Sequence, residues 1–417
     1  MTLTSRGWLT RAALVAAFAW TLVVTVLRTV RWPNDFAEAH WLLDYRIGLV
    51  KRGLPGEVLA LATGLVGGRP TEGLIADVSA LIFGLLVIAL LIVAVRIVLR
   101  AGWSTGAVIV GFAFLSSSYV VMAAHLVGYF DHLVVLATTG ALALMLRGQP
   151  WWAAGVLAVA VFAHEHTLVL GFPLLVLAWL LVNDGRRSRA LARLPVLPLA
   201  VPLAAFAGLA TAGLFVRADV FQDTFARHLE TFPFVGGDMH LLVPEWLSVG
   251  IVEGAGSQLH RFVERLISRD LYSLILPTVV ALMALALDRF SFGSRLRVAA
   301  FIGAVLAPQL LHMAGWDTVR IWTFSIIVAG LGTWVVAEAG RPRRVDPSPA
   351  VPLVAMTALI INAILTTPLY DGLSEWHPLG TRLWFYGPVL LVSLWLLLAP
   401  SSVRPSAEGT MSPADLA

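Results

Sequence analysis

Two short runs in this chain join acids and histidines inside otherwise apolar sequence: Gly128-Tyr129-Phe130-Asp131-His132 and His164-Glu165-His166. An acid in an apolar run is costly unless it is paired, hydrated or functional. Asp131 sits where a short loop turns back into an apolar segment, so it suits both a helix N-cap and a site acid. His132 is its accessory neighbour. Glu165, within a nearly continuous apolar run, reads either as a site acid or as part of a capped, hydrated turn. His164 and His166 are two residues apart and diverge on a helix, so one metal ion is not expected to take both. The run is not HExxH, which excludes the zinc-protease helix.

Three further groups carry chemistry. Asp35, Glu38, His40, Asp44, Arg46, Lys51 and Arg52 share one stretch. Asp35 or Asp44 serves there as base or metal ligand, and Arg46, Lys51 and Arg52 grip phosphate. His312, Asp317 and Arg320 form the next group, with Asp317 and Arg320 spaced to pair across one helical turn. Asp371, Glu375 and His377 lie in a Pro-containing loop and read as rim residues. His228, His240 and His260 read as surface or lid. No P-loop, dinucleotide-binding or nucleophile-elbow motif stands in a fitting context.

The elements that must position these residues are apolar helices. The chain of 417 residues is 59% hydrophobic and 13% charged, against about 25% charged in soluble domains. A polytopic all-α transmembrane bundle follows, with about twelve spans: 11–30, 75–98, 105–127, 132–147, 151–164, 167–183, 194–216, 273–288, 296–312, 320–338, 350–367 and 384–399. Threaded in this way, all ten histidines fall on one side. That side holds 19 acidic and 13 basic residues, the other 6 acidic and 16 basic. The basic side includes Arg186 to Arg189 and Arg341 to Arg344 and reads as cytoplasmic, together with both termini. The protein is thus expected in a bacterial inner membrane with an extracytoplasmic chemical face. Trp32, Trp41, Trp151, Trp152, Trp316 and Trp384 sit near span ends, as an interfacial belt does. Cysteine is absent, which excludes thiolate chemistry. The net charge of +4 is spread over short loops and does not point to nucleic acid.

Two outer loops are long. The first, 31–74, mixes aromatic and charged residues as an interfacial helix does. The second, 217–272, reads as a lid. The tail 401–417, rich in Ser, Pro and Ala, is expected to be disordered.

This layout resembles the GT-C superfamily of membrane glycosyltransferases. There, an acid follows the first span, a second acid follows the third, and a long outer loop follows the seventh. Asp35 or Asp44, Asp131 and the loop 217–272 match these features. Neither a DxD nor a DE pair follows the first span here. The resemblance implies a catalytic transmembrane module over 1–288 and further transmembrane helices over 289–400. It implies a polyprenyl-phosphate-linked sugar donor and a glycan, lipid or protein acceptor. Asp44 or Asp35 then takes the acceptor proton, while Asp131 and Glu165 orient the acceptor. Arg46, Lys51, Arg52 and Arg320 hold the donor phosphate, with His164, His166 and Asp317 as accessories. Mg2+ or Mn2+ is the implied cofactor, held by Asp44 and Asp131.

Two rival classes use the same residues differently. A twelve-span transporter or flippase places its site near the midplane, whereas the ionisable residues here crowd one rim. An O-antigen polymerase or ligase relies on Arg and His of a large outer loop, which Arg217, Arg227, His228, His260, Arg261 and Arg265 supply.

Overall fold

Some of the helices start on capping side chains. Asn34 accepts the Ala37 N–H at 3.0 Å and opens the helix Asp35–Trp41. Thr71 opens Glu72–Arg100 with Glu72 in the first turn, and Asp317 accepts the Arg320 N–H at 3.1 Å to open Thr318–Ala339. Each satisfies a backbone donor that the helix itself leaves unpaired.

A computed structural model of the chain describes residues 3–183, 195–248, 258–267, 269–315, 317–343, 348–369 and 372–398. The tail 401–417, Arg186 to Arg189, Arg344, Trp316 and Asp371 lie outside the described residues. In chain order the helices are α1 Leu3–Val26, α2 Asp35–Trp41, α3 Gly53–Leu65, α4 Glu72–Arg100, α5 Thr105–Leu115, α6 Ser118–His125, α7 Asp131–Leu146, α8 Pro150–Ala163, α9 Thr167–Leu170 and α10 Phe172–Val182. After residue 195 come α11 Ala200–Gly213, α12 Ala218–Leu229, α13 Met239–Ser248, α14 Phe262–Leu266, α15 Arg269–Arg289, α16 Arg295–Leu306, α17 Thr318–Ala339, α18 Ala350–Ile364 and α19 Leu379–Leu398. A two-residue antiparallel pair, Phe290–Ser291 with Arg341–Pro342, ties α15 to the end of α17.

Among the described residues, seven helical segments are long and apolar enough to cross a membrane, or eight if α11 and α12, bent by 93°, form one crossing. Twelve spans were expected. The segments around 132–147, 151–164, 167–183 and 350–367 do fold as helices, but α7, α8 and α18 run only 16, 14 and 15 residues. At 1.5 Å per residue each falls short of a hydrocarbon core of about 30 Å. α8 stops at Ala163 because His164 turns extended (φ −164°, ψ 128°), and the segment after it is interrupted at Gly171.

Two elements form the centre. Thr105–His125 is 100% buried and Thr318–Ala339 is 94% buried over their apolar windows, against 33% for α4. Helices apolar on every side belong inside a bundle. The others pack around them, α7 against α8 and α10, and α15 against α17 and α18.

The two ends of the bundle differ. At one, Glu338 of α17 binds Arg96 at 2.6 Å and Arg100 at 2.5 Å. At the other, the two long loops build a second apolar core from Trp41, Leu43, Phe130, Phe221, Phe225 and Phe232, among others. The first loop is therefore a packed helix-turn-helix rather than one interfacial helix. Gly56 makes this possible, since a Cβ there collides with the backbone of Leu43. Trp32, Trp151, Trp152 and Trp384 are exposed as a belt expects, but Trp41 is buried and donates its indole N–H to the Gly128 carbonyl at 2.9 Å.

The same end carries a buried ion cluster. Arg28 donates to Glu375 through Nε and Nη2, both at 2.8 Å, and to the carbonyls of Asn362 at 2.8 Å and Leu365 at 3.0 Å. Glu375 also accepts the Thr367 N–H at 2.5 Å and faces Arg382 at 3.6 Å. The Glu375 side chain is 1% exposed. It is a staple between α1, α18 and α19, not the rim residue expected. A position in a polar, Pro-containing loop hid the fact that Arg28, 347 residues away, draws it inward.

Candidate functional site

Three backbone features bring the first cluster together. Gly128 adopts φ +97°, a conformation L side chains rarely take, and packs against Pro33 and Ala37. This turn delivers Asp131 to the first position of α7. The N-cap is Phe130, and no side chain caps this helix. Asp131 is thus not spent on capping. The second feature is the break after α8, which sets His164-Glu165-His166 in a turn. The third is Arg52, which opens α3 in the left-handed region at φ +62°. Such backbone costs about 1–3 kcal/mol and persists where the surroundings impose it.

Arg52 closes a two-nitrogen grip on Glu165, with Nη2 at 2.5 Å and Nε at 3.1 Å. His164 Nδ1 lies 3.4 Å from Glu165 Oε2 and 3.2 Å from the His166 N–H. The rings of His164 and His166 are 4.0 Å apart. Asp131 Oδ1 stands 4.0 Å from His164 Nε2 and 4.0 Å from His166 Nδ1. Arg320 Nε, from α17, is 3.2 Å from Asp131 Oδ2 and 3.6 Å from Asp317. The Arg320 guanidinium lies over the Tyr129 ring at 5.8 Å. The expected divergence of His164 and His166 does not occur. It presumed a continuous helix, and the break at His164 turns both rings to the same side.

The Asp131 side chain is 6% exposed, yet neither oxygen accepts a hydrogen bond from the described residues. His166 Nδ1 is likewise buried without one. A buried polar atom without a hydrogen-bond partner calls for an explanation such as strain, a catalytic role or a bound ion. Burial alone would raise Glu165, but Arg52, with smaller help from the two histidines, holds it well below the usual carboxylate range. Burial pushes His166 down to about 4 against the pull of Glu165. Burial and Arg52 push His40 down to about 3. Burial raises Asp317, which Arg320 only partly offsets.

A second cluster lies across Trp41. Asp44 takes Arg46 Nε at 2.7 Å and Nη2 at 2.6 Å, and Arg46 Nη2 is 2.9 Å from His228 Nε2. These groups line a cavity of about 330 Å³ with Trp41, Arg69 and Phe232. Burial would raise Asp44, but the bonds from Arg46 outweigh it and hold it below the ordinary range. Arg69 stacks at 4.8 Å on Phe232. The sequence gives Arg69 no role, and gives His228 a place on the surface or lid or in the outer-loop set of a polymerase or ligase. The Gly-Gly before Arg69 and the Pro after it mark a tight turn, the only signal available.

The expected residues therefore divide. Asp131, His164, Glu165, His166, Arg52, Asp317 and Arg320 converge. Asp44 and Arg46 belong to the cavity, so the two acids expected to share a metal ion sit in different clusters. Asp35 is exposed in the first turn of α2 beside Gly236 of the second loop. Lys51 lies in the turn before α3. His132 is buried on its own, 3.0 Å from the Ala123 carbonyl. The arginines of the second loop do not converge. Arg217 pairs with Asp219, Arg227 bonds the Asp223 carbonyl, and Arg265 clamps the carbonyls of His312 and Gly315.

The first cluster gathers two guanidiniums, three carboxyl groups and two imidazoles at low dielectric, where the charge of a bound group is felt strongly. Comparison with known proteins finds no family model that matches the chain, and no curated protein or solved structure significantly similar to it.

Proposed function

We propose that the chain is a glycosyltransferase of the bacterial inner membrane that moves a sugar from a polyprenyl-phosphate-linked donor to an extracytoplasmic acceptor. The observation that carries this reading is the convergence of Arg52 and Arg320 on the buried acids Asp131 and Glu165 at one end of an apolar bundle. A lipid phosphate arriving sideways from the bilayer meets two guanidiniums there, each already facing an acid. The cavity across Trp41 is then the room for the sugar or acceptor.

In the reaction the acceptor hydroxyl oxygen bonds to the anomeric carbon as the bond from that carbon to the donor phosphate oxygen breaks. The Asp44 carboxylate at the cavity wall takes the hydroxyl proton. The lipid phosphate leaves with its charge on Arg52 and Arg320, which are already aimed by Glu165 and Asp131. The positive face of the opposite bundle end supports cytoplasmic termini.

The test is sugar transfer from a radiolabelled polyprenyl-phosphate sugar in proteoliposomes. Asp131→Asn is expected to cost about 10²–10³-fold in rate, the size of a lost charge-stabilising group. Full transfer by Asp131→Asn, Asp44→Asn and Asp35→Asn alike would overturn the reading. So would the absence of any transfer together with proton- or sodium-coupled uptake in vesicles.

A further inference from the structure

Asp131, His164 and His166 offer one oxygen and two nitrogens that lie within 4.8 Å of one another. They come from two separate breaks in the apolar sequence, the α7 start and the α8 end. Around an ion with bonds of about 2.0–2.2 Å, neighbouring donor atoms stand about 3–3.5 Å apart. The distances of 4.0 Å from Asp131 Oδ1 to His164 Nε2 and His166 Nδ1 thus need movements of about 1 Å or less to close. Side-chain rotation provides that.

Two independent observations point to a missing partner in this space. Asp131 is 5% exposed and accepts no hydrogen bond from the described residues, and the inward-facing His166 Nδ1 has none either. A buried carboxylate facing two imidazole nitrogens is otherwise an unfavourable arrangement. In addition, Glu165 Oε2 lies 3.4 Å from His164 Nδ1. His164 Nδ1 accepts the His166 N–H at 3.2 Å, and an ion taken at Nε2 would move the ring proton to Nδ1, where Glu165 Oε2 stands to accept it. This is the way metal-binding histidines are oriented by a carboxylate behind them.

We propose that Asp131, His164 and His166 bind one divalent first-row transition-metal ion, with Glu165 orienting His164. Two imidazoles and one carboxylate suit Mn2+, Fe2+ or Zn2+ better than Mg2+, which takes oxygen ligands. The charges add a further feature. Asp131, Glu165 and Asp317 face Arg52 and Arg320, three acids against two cations when all are ionised. A divalent ion turns that deficit into a surplus of one positive charge. An anionic oxygen, as on a phosphate, then completes both the coordination and the neutralisation. His40, pushed down to about 3 by burial and Arg52, adds no charge to this balance. The proposal goes beyond the transferase reading, because ion binding is measured without any sugar donor.

The experiment uses the full chain in lipid nanodiscs, stripped with EDTA and titrated with MnCl2 alone. Electron paramagnetic resonance follows the loss of the free-ion signal, and pulsed measurements read nitrogen coupling. One Mn2+ per chain with imidazole nitrogen coupling is expected, and MgCl2 in tenfold excess should displace little of it. Asp131→Asn and His166→Gln should each weaken binding by at least about tenfold, while His240→Gln, outside the cluster, should not. Melting temperature and size-exclusion profile establish that each variant is folded. Should His166→Gln fail to fold, the nitrogen coupling of the unmodified chain decides alone. No stoichiometric binding, binding without nitrogen coupling, or folded Asp131→Asn and His166→Gln proteins that bind like the original would each overturn the proposal. Adding inorganic phosphate should tighten Mn2+ binding.

Discussion

Two buried ion clusters lie at the same end of this bundle, and they are built on opposite principles. Around Arg28 and Glu375 the donors and acceptors meet: the guanidinium reaches one carboxylate and two carbonyls, and the carboxylate takes a backbone N–H besides. Around Asp131 the charges meet but the hydrogen bonds do not, and its two oxygens stand within reach of Arg320 and two imidazoles without accepting from any. Both acids are shielded from water, with the Glu375 side chain 1% and the Asp131 side chain 6% exposed. The difference separates a cluster that holds helices together from one prepared for a visitor. Burial of charge alone does not distinguish the two, since a satisfied network specifies structure and an unsatisfied one stores cost.

The sharpest way to break this comparison is a pair of equivalent substitutions read by thermal unfolding in nanodiscs. Glu375→Gln strips Arg28 of its counter-charge and should cost about 3–5 kcal/mol, the penalty of an orphaned buried ion. Asp131→Asn should cost less than about 1 kcal/mol, because no hydrogen bond is lost and Arg320 keeps Asp317. Equal losses would erase the distinction between staple and site.

Arg52→Lys gives a smaller effect. Lysine keeps the charge but cannot make the two-nitrogen grip on Glu165. Transfer should fall by roughly tenfold, with the melting temperature almost unchanged. A large drop in melting temperature would move the Arg52–Glu165 pair into the structural class.

The smallest effect concerns Glu38, which burial, with Glu72 and Asp35 nearby, pushes up to about 7. Its folded value stands above that of an unfolded glutamate. The stability it contributes is therefore complete below about pH 4, the unfolded range, and is lost as pH rises through 7. Glu38→Gln should flatten the melting temperature between pH 5 and pH 8. An unchanged slope would show that its surroundings relax on ionisation.

Much of the site was legible one residue at a time. Asp131, Glu165, His164 and His166 stand out because apolar sequence has no use for them. Asp317 and Arg320 stand out through their helical spacing. What misled was continuity. A helix carried through His164 sends the two histidines apart, and a capping position for Asp131 gives its oxygens work that Phe130's place at the cap denies them. Equal apolar runs also looked like equal spans, although α7, α8 and α18 are shortened. Asp44 and Asp131 were equivalent as letters and differ in their partners.

The sequence by itself determined that this protein is a bundle of apolar helices, with acids and histidines set at breaks in the apolar runs. Hydropathy and charge act locally, residue by residue, and can be read without a fold. Only the tertiary structure decided which charges are satisfied. Arg28 meets Glu375 across 347 positions, and Arg52 meets Glu165 across 113. Pairings of that range follow from how helices pack and where their backbones break, and no local pattern encodes them.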